Sequence, residues 1–221
     1  MINEGTSNHY DEDYFAWQRR VGRFGGQANA FKFARTVKPT DTVIDFGCGG
    51  GFLLKELECA RRIGIEPNSS AHEQIAANDV TPFGSPQDCL AELGEGIADV
   101  IISNHALEHS LNPMQEIRAL MPLLKKGGRI HFVVPCDSIS VGWKPDDMHF
   151  HLYSWSPMNL GNLITEAGYT VTEAGSIVHK WPPGYLKIQK LFGWRGFHLI
   201  CRIYGHLARS WFQSEVVATK P

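Results

Sequence analysis

The sequence predicts an α/β fold, a parallel sheet covered on both faces by helices. Three observations carry this. Short apolar runs alternate with helical stretches from residue 42 onwards. The runs are continuously apolar, as strands buried on both faces are, rather than alternating apolar and polar. Finally, the first of them runs into "TVIDFGCGGGFLL" (42–54), which sets four glycines in five positions between a strand and a helix. Glycine there costs backbone entropy, so the turn must need a conformation or a close approach that a Cβ forbids.

Taken in order, residues 1–39 precede the sheet and carry Tyr10, Tyr14, Phe15, Trp17, Phe24, Phe31 and Phe33. That aromatic content predicts a helical cap over the sheet rather than a loose tail. "TVIDFG" (42–47) is the first strand, followed by a helix over 52–59. "RRIGIEP" (61–67) is the second strand, followed by a helix over 70–77. "DVTPFGS" (79–85) is a weak third strand and "ADVIISN" (98–104) a strong fourth. A helix over 113–124 stops at "KKGG", where basic residues and glycine make a termination signal. "RIHFVVP" (129–135) is the fifth strand. "MNLGNLITEAG" (158–168) reads as a helix closed by Gly168, and "YTVTEAG" (169–175) and "SEVVATK" (214–220) as two late strands.

Composition bounds the class. A chain of 221 residues suits one domain, 1–221, with an insertion at 176–213. At 43% hydrophobic and 20% charged it can build a core and is not a disordered chain. A net charge of -2 gives no global attraction to nucleic acid, and no nucleic-acid partner is expected. The five cysteines, an odd number, are widely spaced with no CxxC pair, so neither a disulfide framework nor a zinc knuckle is indicated. The N-terminus lacks a basic-then-apolar signal pattern, and no apolar run approaches the ~18 residues of a transmembrane helix. A reduced, cytoplasmic location is the default expectation.

A glycine turn after a first strand lies at the carboxyl edge of the sheet, where ligands bind. The dinucleotide pattern G-x-G-x-x-G is not met. Gly47, Gly49 and Gly51 give G-x-G-x-G, and Phe52 stands at the third dinucleotide position. Asp45, just before the turn, would repel a pyrophosphate but suits a cationic group. Glu66, ending the second strand in "GIEPN", can accept both hydroxyls of a ribose. The ligand so described has a ribose, no phosphate and a positive charge; S-adenosylmethionine meets all three conditions.

"VIDFGCGGG", "GIEPN", "ADVIISNHALEH" and "LKKGGRIHFVVP", in that order and spacing, resemble the class I S-adenosylmethionine-dependent methyltransferases over roughly residues 40–175 and the last strand. The resemblance implies a Rossmann-like doubly wound sheet of seven strands in the order 3-2-1-4-5-7-6, with strand 7 antiparallel. It also implies that Asp45, Gly47, Gly49 and Gly51 surround the methionine end of the cofactor and that Glu66, with Pro67, holds the ribose. Asn104 and His105 would line the methionine and acceptor sides. Where the family often has an Asp-Ala pair for the adenine, this chain has Ser85 and Pro86; Ser85, Gln87 or Asp88 is then the expected adenine contact. The expected reaction is methyl transfer to a small-molecule or glycan-type hydroxyl. The alternative is a binding or scaffolding domain that keeps the fold without turnover.

A hydroxyl acceptor needs a base, and histidine suits that role near neutral pH. His105 and His109 flank "ALE" after the fourth strand, and His149 and His151 lie in "DDMHFHLYSW" after the fifth. The candidate bases are His109, His151 and His149. The other readings are histidines that fix loops through hydrogen bonds, and a metal site with Asp146 or Asp147. The latter has no recognised ligand spacing, so no metal is expected.

Residues 174–214 contain no acid but six bases: Lys180, Lys187, Lys190, Arg195, Arg202 and Arg209. Helical spacing would put Ile200, Ile203, Tyr204 and Leu207 on one face and His198, Arg202, His206 and Arg209 on the other. Two readings stay open: a peripheral membrane or anionic-substrate surface through 185–211, or a packed cap whose basic face is merely solvated.

Overall fold

The computed structural model describes residues 12–138, 141–145, 147, 149–209 and 211–221, with only the backbone for residues 12–20. Tyr10, Asp146 and the side chains of Tyr14, Phe15 and Trp17, which entered the sequence reading, lie outside the described residues. Among the described residues one sheet forms from β1 (Thr42–Phe46), β2 (Arg61–Ile65), β3 (Thr81–Phe83), β4 (Ala98–Asn104), β5 (Leu124–Asp137), β6 (Thr170–Ile177) and β7 (Trp211–Thr219). Their order is β3-β2-β1-β4-β5-β7-β6. Strands β1 to β5 pair in parallel, and β7 runs antiparallel between β5 and β6. This is the doubly wound sheet that the resemblance implies. Strand order reverses between β1 and β4, so a ligand crevice opens at their carboxyl ends.

The helices are α1 (Glu12–Phe33), α2 (Phe52–Lys55), α3 (His72–Ala77), α4 (Pro86–Leu93), α5 (Pro113–Leu120), α6 (Pro157–Glu166) and α7 (Tyr185–Ala208). Alternation along each strand divides the core. Ile44, Phe46, Ile101, Ile130 and Phe132 pack with Ile117 of α5 and Leu160 and Ile164 of α6. Val43, Val100, Ile102 and Val133 face the other way, onto Phe33 of α1, Leu54 of α2 and Ile75 of α3. β1 and β4, covered on both faces, are buried almost throughout, whereas β6 at the sheet edge is largely exposed. Three helices start alike. Ser85, Asn112 and Ser156 each cap with a side-chain oxygen, accepting from the N–H of Asp88, Gln115 and Asn159, with proline in the first turn of each. Proline has no N–H to leave unpaired there.

The elements depart from expectation in several places. The helix after the glycine turn stops at Lys55 rather than residue 59, because the chain must bend back to enter β2, where the N–H groups of Ala60 and Arg61 bond to the Asp41 carbonyl. Helix α4 was not expected, although Ser85-Pro86 is a helix-start pair. α5 ends at Leu120 and passes into a 3-10 turn at Met121–Leu123 that contains Pro122. "KKGG" is therefore not a helix stop but an irregular opening of β5, with Gly127 at φ 70°. The expected third strand, 79–85, shortens to Thr81–Phe83.

Helix α1 lies against the start of α2 through its small residues. A Cβ on Gly22 would come within 2.5 Å of the Phe52 ring, and one on Gly26 would collide with the Phe52 carbonyl. We expect Gly26→Val to lower stability by about 1–3 kcal/mol through overpacking, read as a lower urea midpoint. An unchanged midpoint would mean that α1 does not seat on Phe52.

Candidate active site

The turn after β1 is held open by backbone geometry. Gly47, Gly49 and Gly51 all adopt left-handed φ values, 73°, 53° and 74°. Strain would follow from any side chain there, most for a β-branched one. A Cβ on Gly47 would also collide with Ala106, so the loop after β4 rests directly on the glycine turn. Two side chains fix the turn from below. Asn78 Nδ2 donates to the Gly50 carbonyl at 2.7 Å. Glu66, at the end of β2, accepts from Gly49 N–H at 2.9 Å with Oε2 and from Asn68 N–H at 3.1 Å with Oε1.

Asp45 is buried and its Oδ1 has no hydrogen-bond partner. Burial, with the Glu66 carboxylate adding to it, pushes its carboxyl well above the usual range. Burial also raises Glu66, against the two N–H groups that lower it. An unpartnered buried carboxyl beside a second acid is a site for a cation, since a positive group would supply both the missing partner and the missing charge. Each Glu66 oxygen keeps a lone pair for a hydroxyl donor. The residues present therefore fit S-adenosylmethionine in their chemistry: the buried acid Asp45 suits an ammonium group, and the Glu66 carboxylate suits ribose hydroxyls.

The adenine end is less clearly marked. Pro67 is exposed just past Glu66. Ser85 and Pro86 open α4, and the Ser85 hydroxyl is already engaged, donating to Asp88 Oδ2 at 2.7 Å and accepting from Asp88 N–H at 3.1 Å. Gln87 and Asp88 are exposed in the same turn.

At the mouth of β4 the structure brings the two histidine segments together. His105, at φ 58°, stacks on Trp211 with centroids 5.5 Å apart. Its Nε2 lies 3.1 Å from Gln213 Oε1 and its Nδ1 3.3 Å from Glu108 Oε1. Glu108 is fully buried, and neither of its oxygens is in a hydrogen bond of good geometry. Burial raises its carboxyl, but the His105 and His109 rings more than offset that, and it lies below the usual range. His109 Nε2 is 3.8 Å from the same oxygen. The segment after β5 folds over this turn, with Leu152 N–H bonded to the Glu108 carbonyl at 2.9 Å. The His151 ring comes to 5.2 Å from His109 and 5.6 Å from His149, and its Nδ1 lies 3.5 Å from Asp137 Oδ2. Burial, and then the neighbouring His151, hold His109 below the ordinary imidazole value, against the pull of Glu108. Glu108, His109 and His151 offer ligand atoms within 4.8 Å of one another, so this is also where a metal ion could be held.

Several residues of this site were not singled out in the sequence. Lys32, from α1, donates to Asn104 Oδ1 at 3.0 Å and, more closely, to Gln213 Oε1. Burial pulls its ammonium down to about 7 despite Glu215 and Glu108. Gln213, Trp211 and Lys32 are far from the motifs in the chain, and nothing local marks them. Glu108 does carry a signal: it sits between the two histidines of "HALEH". Two hollows, about 350 Å³ between α1 and the end of α2 and about 390 Å³ beside β6 and β7, are lined by none of these residues.

A doubly wound sheet with an acid before the glycine turn, an acid after β2 and no phosphate-binding pattern defines an S-adenosylmethionine-type crevice. The family model for the methyltransferase domain matches residues 10–174, well over half of the chain. The protein belongs to the class I S-adenosylmethionine-dependent methyltransferase family, whose methyl donor is S-adenosylmethionine. It is 35% identical over 105 residues to the ribosomal protein L11 methyltransferase of Burkholderia mallei, covering 43% of this chain and 32% of that one. It is 30% identical over 97 residues to the ubiquinone biosynthesis O-methyltransferase of Ruegeria pomeroyi, covering 39% and 38%. The match thus spans about a third of each relative. Among solved structures, a chain of the complex holding the Haloferax volcanii Trm112 methyltransferase activator superposes with a TM-score of 0.66 at 19% identity, covering 100% of this chain and 99% of that one.

Two outcomes follow from this geometry. Glu66→Ala removes charge-assisted acceptors typically worth ~1.5–3 kcal/mol each, so affinity for S-adenosylmethionine should fall at least tenfold by calorimetry; affinity within twofold would remove Glu66 from the ribose. The second concerns Lys32. With a folded value of about 7 against 10.5 unfolded, the unfolded chain holds a proton that the native state has lost as pH rises above 7. Stability should therefore climb with pH in that window relative to Lys32→Met. Parallel urea midpoints at neutral and alkaline pH would show that Lys32 is not buried as a strained cation.

Proposed function

We propose that the protein transfers a methyl group from S-adenosylmethionine to a hydroxyl of a small-molecule or glycan-type acceptor, with His109 as the base. The observation behind the reading is the convergence of His109 and His151 beside the buried Glu108 at the carboxyl end of β4. When bound, the cofactor supplies a methyl already activated by its positive sulfur, so the chain's own work is alignment, exclusion of water and removal of one proton. Ala106, against Gly47, ties the histidine turn to the cofactor loop. His109, kept neutral by burial, takes the hydroxyl proton, and Glu108 stabilises the imidazolium that results. Asp137 holds His151 in place beside it. The name of the Ruegeria relative, an O-methyltransferase, is consistent with an oxygen acceptor.

Turnover against pH tests the assignment. His109→Ala should reduce turnover roughly 10²–10⁴-fold, with S-adenosylmethionine affinity within twofold. A protonated imidazole cannot accept, so the rate should fall on the acid side, below the ordinary imidazole value of 6.5 because His109 is depressed. His151→Asn should move that limb to higher pH, since His151 helps to depress His109. If His105, His109, His149 and His151 can each be replaced with less than a fivefold loss, the acceptor is already nucleophilic, an amine or a carbanion. Loss of turnover on dialysis against a chelator would assign Glu108, His109 and His151 to a metal instead.

A further inference from the structure

Among the described residues, thirteen large apolar side chains are exposed: one after β4, six between Val141 and Met158, and six between Leu186 and Leu207. All of them lie on connections at the carboxyl edge of the sheet, the edge that carries the candidate active site. None of the described large apolar side chains is exposed at the opposite edge, a segregation that solvation does not require, because single exposed apolar side chains normally scatter.

Helix α7 shows the pattern most fully. Its inner face is Phe197, Cys201 and Gly205, all buried, with Trp194 and Phe197 packed on Phe24 of α1. The apolar face expected from sequence, Ile200, Ile203, Tyr204 and Leu207, is therefore not the one that packs. His198, placed on the polar face, turns inward instead, its Nδ1 3.0 Å from His179 Nε2. The outer face carries Leu199, Ile203 and Leu207, spaced four apart and 60%, 52% and 77% exposed. Arg195, Arg202 and His206 flank this stripe, and Lys187 and Lys190 stand beside the exposed Leu191 and Phe192 in the first half of the helix. Among the described residues no acid forms a salt bridge with Lys187, Lys190, Arg195 or Arg202. A break at Gly193, φ 63°, lets the two halves lie at different angles over the body. No helix among the described residues is long and apolar enough to cross a membrane.

We propose that the carboxyl edge docks on an anionic lipid surface through the outer face of α7. Apolar side chains of this stripe would enter the boundary between headgroups and acyl chains while the flanking cations meet lipid phosphates, the arrangement of a helix lying in the plane of an interface. Charge decides the occupant. Residues 174–214 hold six bases and no acid, which complements anionic headgroups and repels a second copy of the same face. Trp143, on the connection after β5, is 88% exposed and adds to the apolar side chains of the same edge. Resting on the hydroxyl-acceptor reading, this places the mouth of the site against the lipid and fits an acceptor with a lipid-soluble portion.

The test is co-sedimentation of the full chain with vesicles of phosphatidylcholine, with and without phosphatidylglycerol. Binding is expected only with phosphatidylglycerol and should weaken as salt rises. Arg195→Gln with Arg202→Gln should weaken it about fivefold per cation, and Leu199→Gln, Ile203→Gln and Leu207→Gln together should abolish it. Both sets should keep the thermal midpoint and the S-adenosylmethionine affinity, because none of these side chains is in the site. The proposal is overturned if the chain ignores phosphatidylglycerol, or if both variant sets bind as the parent does. It is equally overturned if light scattering shows a dimer that the leucine variants disperse while vesicles are not bound. Retained cofactor affinity in any of those cases would leave the methyltransferase reading standing.

Discussion

The site depends on how closely backbone can approach backbone at the end of β1. Gly47 meets Ala106 with no room for a Cβ, and Gly47 and Gly51 turn left-handed on either side of a loop that Glu66 and Asn78 pin to its neighbours. This contact does more than shape a cofactor cradle. It sets the distance between the first strand's loop and the turn carrying His105, Glu108 and His109, so the proposed cofactor side and the proposed acceptor side are packed directly on one another. Helix α1, pressed on Phe52 through Gly22 and Gly26, closes the same loop from outside. Preorganisation of this kind lets a methyltransferase work mainly by alignment.

A chain of polar groups runs across the mouth of the sheet: Lys32, Gln213, His105, Glu108, His109, His151 and Asp137. Taking an ammonium and a carboxylate out of water is costly, and such groups persist where they hold one another in place. The cost is visible in Lys32, brought down to about 7, and in Asp45, whose carboxyl burial pushes well above its usual range. Stability is given up at both, beside the proposed chemistry. The cap helix, the last strand and the two histidine segments all contribute, so the acceptor side exists only when the whole fold has closed.

The segment between β6 and β7 combines two roles that compete for the same helix. Aromatic residues on its inner face lock it to α1, where Phe24 packs with Trp181, Tyr185, Trp194 and Phe197. Its outer face stays apolar and basic. A helix that is apolar nearly all round is ordinarily buried; here one face is buried by the protein, and the other is offered outward at the active-site edge.

By itself the sequence determined the sheet, the crevice and its chemical character. Continuous apolar runs, Asp45, the glycine turn and Glu66 are local signals, because a strand's burial and a turn's conformation act over a few residues. Even the strand order came from the resemblance that those motifs carry. What the tertiary structure alone decided is which distant side chains meet. Lys32 and Gln213 are 181 positions apart and share a hydrogen bond. Glu108, read along the chain, is an acid between two histidines; only in the folded protein is it fully buried, with the segment after β5 bonded to its backbone through Leu152 N–H. Which face of α7 turns inward is hidden from the sequence for the same reason. Helical spacing can tell which residues share a face, but with apolar side chains on both sides only the aromatic cluster around Phe24 decides which face turns inward.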